Sequence, residues 1–285
     1  MNILIKSTGF IGDILFSTSV ARQLKREDRT LLIDYQIPLN APYEILQLDN
    51  NINRIFLPNE EVDESSYDKV FTLPPCTQED PPTIQYQKHC GVKDLDPSYD
   101  VKVPHNAIEV ISNMMRPYKE QGKKIVAWQG NWEEKSFGFT KEEYEKGINV
   151  PELGYGGRRR NIESIIEKLS AHYTMIMVGF PPGVRQSDVG LLTTGIYTYT
   201  AAILSQCDYM IGGESGLINL AAGVGTKTII TGDYVHQLYG WNGVMRKLKE
   251  PKLGPEFYFD NGHVSLNPYL TDKEVVEQIT NIIGN

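Results

Sequence analysis

Cysteine is scarce in this 285-residue chain, with only Cys76, Cys90 and Cys207. An odd count without CxxC spacing argues against a disulfide framework or a zinc ribbon, so the three read as ordinary thiols of a reducing compartment. Positive charge is also short: 28 Lys and Arg stand against 36 Asp and Glu, a formal net charge of -8. General nucleic-acid binding needs the opposite surplus. No apolar run approaches the roughly 20 residues of a membrane helix. The opening Met1-Asn2-Ile3-Leu4-Ile5-Lys6 lacks the basic region and long apolar core of a secretory signal. The expected setting is the cytoplasm, which leaves room for transient contact with the inner face of a membrane. His89, His105, His172, His236 and His263 form no HxxxH or close Cys/His group, so no zinc site is read. A GxSxG elbow is missing, as is a complete GxGxxG fingerprint.

What the chain does have is alternation. Ile3–Lys6 reads as a strand and Asp13–Arg26 as a helix. Leu31–Tyr35, Arg54–Leu57 and Lys69–Leu73 are strand-like runs. Ala41–Leu48 and Pro82–Cys90 read as short helices, and Asp100–Val103 as an edge strand. Pro104 to Gly122 carries Ile108, Ile111 and Met115 on one helical face and ends in a polar stretch. A second series then begins. Its predicted strands are Lys124–Trp128, Thr174–Val178, Asp208–Gly212 and Thr226–Thr231. Its predicted helices are Asn161–Leu169 with Asn161 as cap, Tyr199–Gln206, Ser215–Ala222 and Asp272–Ile283. Strand–helix repetition implies an α/β chain with parallel, helix-covered sheets. The segments are 1–103, a linker helix 104–122, a second domain 123–265, and a C-terminal helix 266–285 free to pack back on the first domain. Ligands in such sheets bind beyond the carboxyl ends of the strands. The loops after Lys6, Trp128, Val178 and Gly212 are therefore the places to look.

Three of these loops carry distinctive chemistry. In "KSTGFIGDILFSTSV", Asp13 stands where a glycine turn (Gly9, Gly12) enters a helix, and it reads as either a helix cap or a catalytic base. In "CDYMIGGESGLINLAAGVGTKTIIT", a strand ends at Gly212-Gly213, and Glu214 and Ser215 open a helix. Such a start offers unpaired amides and a positive dipole end to a phosphate, or else is a routine βαβ turn capped by Ser215. In "AWQGNWEEKSFGFTKEEY", Gly130, Asn131 and Lys135 follow a strand. Lys135 can neutralise a phosphate, although a lysine in a loop is more often simply solvated. "GYGGRRRN" reads as a solvated basic loop that could grip an anion. Asp94-Leu95-Asp96 has the form of a metal-binding DxD, but it lies between Gly91-Val92 and Pro97 and reads as turn chemistry.

Two of these stretches together resemble the ADP-heptose lipopolysaccharide heptosyltransferases of glycosyltransferase family nine. "ILIKSTGFIGDILFSTSVARQLK" is similar to the family's "ILVIRLSSLGDVVLTTPVLRALK". "CDYMIGGESGLINLAAGVGTKTIITGD" is similar to its "ADLVVGNDSGPMHLAAALGTPVVALFG". "WEEKSFGFTKEEYEK" resembles a lysine–aromatic segment between them, in the same order across nearly the whole chain. The resemblance implies a GT-B fold, two Rossmann-like domains facing across a cleft. The acceptor would lie on 1–103 and the nucleotide-sugar donor on 123–265. It implies inverting transfer of a heptose or related sugar, with no metal and no cofactor. The expected partners are an ADP-sugar donor and a glycan or lipid-linked glycan acceptor. By position, Asp13 matches the proposed base and Gly12 the glycine before it, while Lys135 matches a lysine at the donor phosphates. Ser215, Gly216 and Leu217 match the helix start that receives the pyrophosphate. The sequence departs from the family at Glu214, which replaces Asp, at Asn219, which replaces His, and at Ser19, where Pro is frequent. Gly9, Gly130, Asn131 and Gly213 are expected to support the loops. Two other readings belong beside transfer. A non-catalytic nucleotide-sugar-binding protein would keep Glu214–Leu217 and need no base. A GT-B-like sugar-nucleotide epimerase would want further acids or a histidine.

Overall fold

The computed structural model describes residues 1–38, 43–74, 80–130, 137–138, 158–159, 161–179, 195–213, 215–231, 263–266 and 270–284. The chain divides into two compact units. The first gathers Met1–Asn113, a helix at Gly195–Leu204 and Gly223–Gly225; the second takes most of the remainder from Met114 onward.

The first unit is built on β1 (Asn2–Lys6), β2 (Leu32–Gln36), β3 (Arg54–Phe56) and β4 (Lys69–Thr72), all parallel, in the order β3-β2-β1-β4. Ile3, Leu4 and Ile5 are all buried, as expected of a parallel strand covered on both faces. The connecting helices are α1 (Ile11–Glu27), α2 (Tyr43–Leu46) and α3 (Pro82–His89). Along α1 the hydroxyls of Ser17, Thr18 and Ser19 are buried. Each donates 2.7 Å to the carbonyl three residues back, so none needs a partner outside the helix. The helix α4 (His105–Lys119) follows and buries Ala107, Ile111 and Met115.

The second unit has β5 (Ile125–Gln129), a short antiparallel pair β6 (Phe137–Gly138) and β7 (Arg158–Arg159), α5 (Ile162–Ser170) and β8 (Thr174–Val178). After α6 (Gly195–Leu204), which clusters with the first unit, come β9 (Tyr209–Gly212), α7 (Gly216–Gly223), β10 (Lys227–Ile230), β11 (His263–Ser265) and α8 (Asp272–Ile283). Its main sheet is again parallel, ordered β11-β10-β9-β5-β8. Asn161 caps α5 as expected, its Oδ1 accepting from the Ser164 amide at 3.0 Å. The helix α8 begins with a reciprocal Thr271–Glu274 capping box. Its Val275, Ile279 and Ile283 join Ile162, Ile165 and Leu169 of α5 in one core. The C-terminal helix thus lies on the second unit.

One element departs from expectation. Asp100–Val103 is not an edge strand. Its alternation comes from a strap lying along helices. Val101 N–H donates to the carbonyl of Gly223 at 2.8 Å, and Tyr99 meets Phe16 edge-on at 5.2 Å. Gly223 permits this, because a Cβ there would come within 2.6 Å of Val101 and 2.9 Å of Tyr99.

Candidate functional site

In the first unit, sequence order reverses direction between β1 and β4, so the crevice of a doubly wound sheet falls at their carboxyl ends. The turn Ser7–Phe10 occupies that place. Thr8 Oγ1 donates to the Leu73 carbonyl at 2.8 Å, tying the turn to the end of β4. Gly9 is left-handed at φ +88°, and a Cβ there would sit 2.4 Å from Asp13 Oδ2. The helix starts two residues earlier than expected, which puts Asp13 at its third position and Phe10 at the cap. The phenyl group cannot cap. Instead Asp13 Oδ2 reaches back and accepts from the Phe10 amide at 2.9 Å, the return half of a capping box. Asp13 Oδ1 accepts from the Tyr86 hydroxyl at 3.1 Å, and that ring is buried in α3. Asp13 therefore caps the helix from inside its first turn, where the dipole favours negative charge. Its side chain is half-buried and Phe10 is exposed, while Gly12 is the second residue of α1. Ser7 is 6% exposed, and its Oγ has no hydrogen-bond partner among the described residues.

In the second unit the order reverses between β5 and β9. Their ends carry Gln129-Gly130 and Gly212-Gly213, and a side-chain bond again joins them: Ser215 Oγ donates to Gln129 Oε1 at 2.9 Å. Gln129 is 2% exposed. It lies over Gly212, where a Cβ would approach Gln129 Oε1 to 2.9 Å. Gly130 N–H donates to Val178 O at 2.9 Å and closes the end of β8 onto β5. Gly179 is left-handed at φ +84°, and a Cβ there would meet Leu217 Cδ1 at 2.6 Å. Leu217 thus packs on the β8 end while its amide belongs to the first turn of α7. Ser215 Oγ accepts from the Ile218 amide at 3.5 Å, a loose cap, while it donates to Gln129. The first amides of α7, including those of Gly216 and Leu217, have no intrahelical partner, as at any helix start. Asn219 is buried and continues that helix.

The structure therefore brings Gly9, Gly12 and Asp13 together at one switch point. It brings Gly130, Gly213, Ser215, Gly216, Leu217 and Asn219 to the other. Asn131, Lys135 and Glu214 lie outside the described residues, as do Cys76 and most of the basic loop after Gly154. Two contributors have no distinguishing signal in the sequence. Gln129 reads only as the residue that follows a predicted strand. Tyr86 is 73 positions from Asp13, too far for any local pattern to pair them.

The DxD stretch is turn chemistry, as expected, and more. Asp96 Oδ1 accepts from the Ser98 amide at 2.9 Å and hydroxyl at 2.6 Å. Oδ2 meets Arg22 at 3.3 Å, Arg26 at 3.0 Å and Gln23 at 3.1 Å. Burial works to raise its pKa, but the Ser98 hydrogen bonds and the Arg22 charge outweigh burial and hold it below the usual value. Among the described residues no cluster of His, Cys, Asp and Glu could hold a metal ion, and no helix is long and apolar enough to cross a membrane.

Two parallel α/β units, each with a glycine turn at its switch point, define a Rossmann-like architecture repeated along one chain. No family model and no curated protein sequence matches the chain. Solved structures do. A family-nine glycosyltransferase from Veillonella parvula is similar with a TM-score of 0.61 at 11% identity, over 99% of this chain and 97% of that one. The E. coli heptosyltransferase WaaC, bound to ADP-2-deoxy-2-fluoro heptose, is similar with a TM-score of 0.57 at 10% identity over 99% of both chains. E. coli ADP-heptose lipopolysaccharide heptosyltransferase II has a TM-score of 0.54 at 13% identity, over 99% of this chain and 98% of that one. The resemblance read from the two motifs is borne out as a shared fold over nearly the whole length.

Proposed function

We propose that this chain is an inverting glycosyltransferase. It moves a sugar, a heptose or a related one, from a nucleoside-diphosphate donor to a hydroxyl of a glycan or lipid-linked glycan. The observation that carries the reading is the half-buried Asp13 carboxylate, fixed by the Phe10 amide and the Tyr86 hydroxyl at the carboxyl end of β1. The shared fold supports it, as does the ADP-heptose ligand named for similar proteins, which makes an ADP-sugar the favoured donor.

In this mechanism residues 1–103 hold the acceptor, 104–122 link, 123–265 hold the donor, and 266–285 close the chain. The acceptor hydroxyl attacks the anomeric carbon from the face opposite the diphosphate. The bond from that carbon to the diphosphate oxygen breaks, the new glycosidic bond forms, and Asp13 takes the hydroxyl proton. The transfer is concerted with the developing acidity of the hydroxyl in the transition state. The amides of Ser215, Gly216 and Leu217, with Lys135, stabilise the charge growing on the leaving diphosphate. Gln129 Oε1 accepts the Ser215 hydroxyl hydrogen bond, so Ser215 serves phosphate through its amide. Glu214 would repel phosphate and is assigned to donor-sugar or ribose hydroxyls. Asn219 supports the same helix start, and Gly9, Gly12, Gly130, Asn131 and Gly213 let the loops approach the ligands. The reading includes no metal and no cofactor, a cytoplasmic setting and a transient membrane contact.

A thermal-shift screen of nucleoside diphosphates and their sugars identifies the donor. Diphosphate release is then followed with and without acceptor. Asp13→Asn should lower transfer by about 10²–10⁴-fold, the scale of a general base, with nucleotide affinity within a few-fold of the parent. Unchanged turnover would remove Asp13 as the base. Release independent of every acceptor would remove transfer itself, and nucleotide binding without turnover would favour the non-catalytic binding protein.

A further inference from the structure

We propose that Asp96 is a positioning residue for the Asp13 base, bracing the two helices whose side chains meet in the Tyr86–Asp13 hydrogen bond. The inference rests on the transferase reading and names the group that keeps its base in place.

The proposed reaction leaves the DxD stretch without a role, yet its second acid is bonded through both side chain and backbone. The side chain faces α1. Oδ2 meets Arg22, Gln23 and Arg26, while Oδ1 accepts from the amide and hydroxyl of Ser98. The Arg22 side chain is 15% exposed and that of Asp96 28%, so the bond between them is charge-assisted and largely shielded from water. The backbone of Asp96 is held by α3. Its amide donates to Gln87 Oε1 at 2.9 Å, and its carbonyl accepts from Gln87 Nε2 at 2.6 Å. A side-chain amide that spends both ends on one residue fixes that residue's orientation as well as its distance. Gln87 is fully buried, as is Thr83 one turn earlier on α3, whose hydroxyl donates to the Pro97 carbonyl at 2.9 Å.

The helices α1 and α3, which pack on each other, are thus tied at two places. One tie is direct: Tyr86, the sequence neighbour of Gln87, donates to Asp13 Oδ1 at 3.1 Å. The other runs through Asp96, which α1 meets from Arg22 onward, about 14 Å along the helix from Asp13 at the α-helical rise. Two ties this far apart fix the crossing of the helices as well as their separation. Without Asp96 the crossing rests on apolar packing and on the Tyr86 bond itself. A shift of about 1 Å takes a bond of this length beyond hydrogen-bonding distance and misplaces the base. The acid that resembles a metal ligand in the sequence therefore serves the site from a distance, by holding Tyr86 against Asp13.

The first measurement needs no ligand. The full chain is labelled with ¹³C at the hydroxyl-bearing ring carbon of tyrosine, whose NMR shift reports what the hydroxyl bonds. Tyr86→Phe assigns the Tyr86 signal, and Asp13→Asn marks its position without the carboxylate charge. Asp96→Asn, which weakens the α1 side of the brace, should move the signal toward the Asp13→Asn position. Gln87→Met, which cuts the α3 side and keeps the ion pairs, should move it the same way, and it carries the test should Asp96→Asn not fold. A Tyr86 signal that stays at the parent position in the folded variants overturns the brace. Transfer is then assayed with the donor found by thermal shift. Turnover of Asp96→Asn should fall about tenfold with the donor KM unchanged, and adding Tyr86→Phe should lower it no further. Losses that multiply in the double variant would make Asp96 a purely structural residue. A moved signal without diphosphate release from any donor keeps the brace and rejects transfer. An unmoved signal with transfer intact rejects the brace and keeps the enzyme.

Discussion

The hydroxyl of Tyr86 donates to Asp13 Oδ1 at 3.1 Å, from a ring that is 1% exposed. A buried phenol on α3 thus fixes one oxygen of a carboxylate on α1, and the backbone of Phe10 fixes the other. Tyr86→Phe keeps the packing and removes only the hydrogen bond. Bonds to charged groups are worth about 1.5–3 kcal/mol, and the half-exposed carboxylate should put this one near the lower end. Urea unfolding measures that loss. If Tyr86 positions the base, turnover should fall about tenfold while the KM for the donor stays unchanged. A rise in donor KM with turnover intact would make Tyr86 a purely structural residue.

Gly9 gives a second prediction. Alanine at its φ of +88° carries the ordinary left-handed strain of about 1–2 kcal/mol. Its methyl group would also press on Asp13. Gly91, at φ +74°, has open space within 4 Å of where a methyl group would sit, so Gly91→Ala bears the strain alone. Gly9→Ala should therefore lower the thermal midpoint more than Gly91→Ala, and only Gly9→Ala should depress transfer. Matching midpoints and matching activities would show that Asp13 yields freely.

The bond between Ser215 and Gln129 makes a third. Gln129→Leu leaves the Ser215 hydroxyl without its acceptor over a buried strand end, a cost of about 1–3 kcal/mol. Adding Ser215→Ala should recover part of that cost, since replacing both partners is far less costly than replacing one. Urea unfolding of the two single variants and the double variant gives the coupling. Strict additivity would mean the bond contributes nothing.

The pH dependence of stability should show two separate windows. Burial lowers the His263 pKa from 6.5 to about 4. As pH falls below about 6.5 the unfolded chain takes up a proton that the folded chain refuses until about pH 4, so stability drops across that interval. His263→Gln should flatten it. Asp96 is held below its reference value of 3.8, so its contribution is complete above that pH and is lost as pH falls through the lowered value. Asp96→Asn should flatten the acid end and leave the higher interval alone. Unfolding free energies measured from pH 8 to pH 3 distinguish the two.

The parallel sheets and both glycine turns are legible because β1, β5 and β9 are short apolar runs that pass directly into turns. Legibility fails where one pattern serves two structures. Asp100–Val103 alternates like an edge strand, yet it is a strap held by Arg22, Tyr99 and Val101. Local pattern cannot report such side-chain anchoring. The start of α1 reads two residues late because a phenylalanine at the cap gives no capping signal and Asp13 performs the cap from within. Tyr86 stays hidden because its role exists only once α3 has packed on α1.

The segment Lys93–Asp96, just ahead of the strap, has a mechanical consequence for α1. Near one end Asp13 is hooked to Phe10 and Tyr86. Near the other, Arg22 and Arg26 grip Asp96, and Glu27 accepts from the amides of Lys93 and Asp94. A rod pinned at both ends can neither slide along its axis nor roll about it. Adaptation to a different acceptor must then come from the short turn ahead of the rod. Laboratory evolution toward new acceptors should accordingly collect its changes at Ser7, Thr8 and Phe10 and leave the body of α1 untouched.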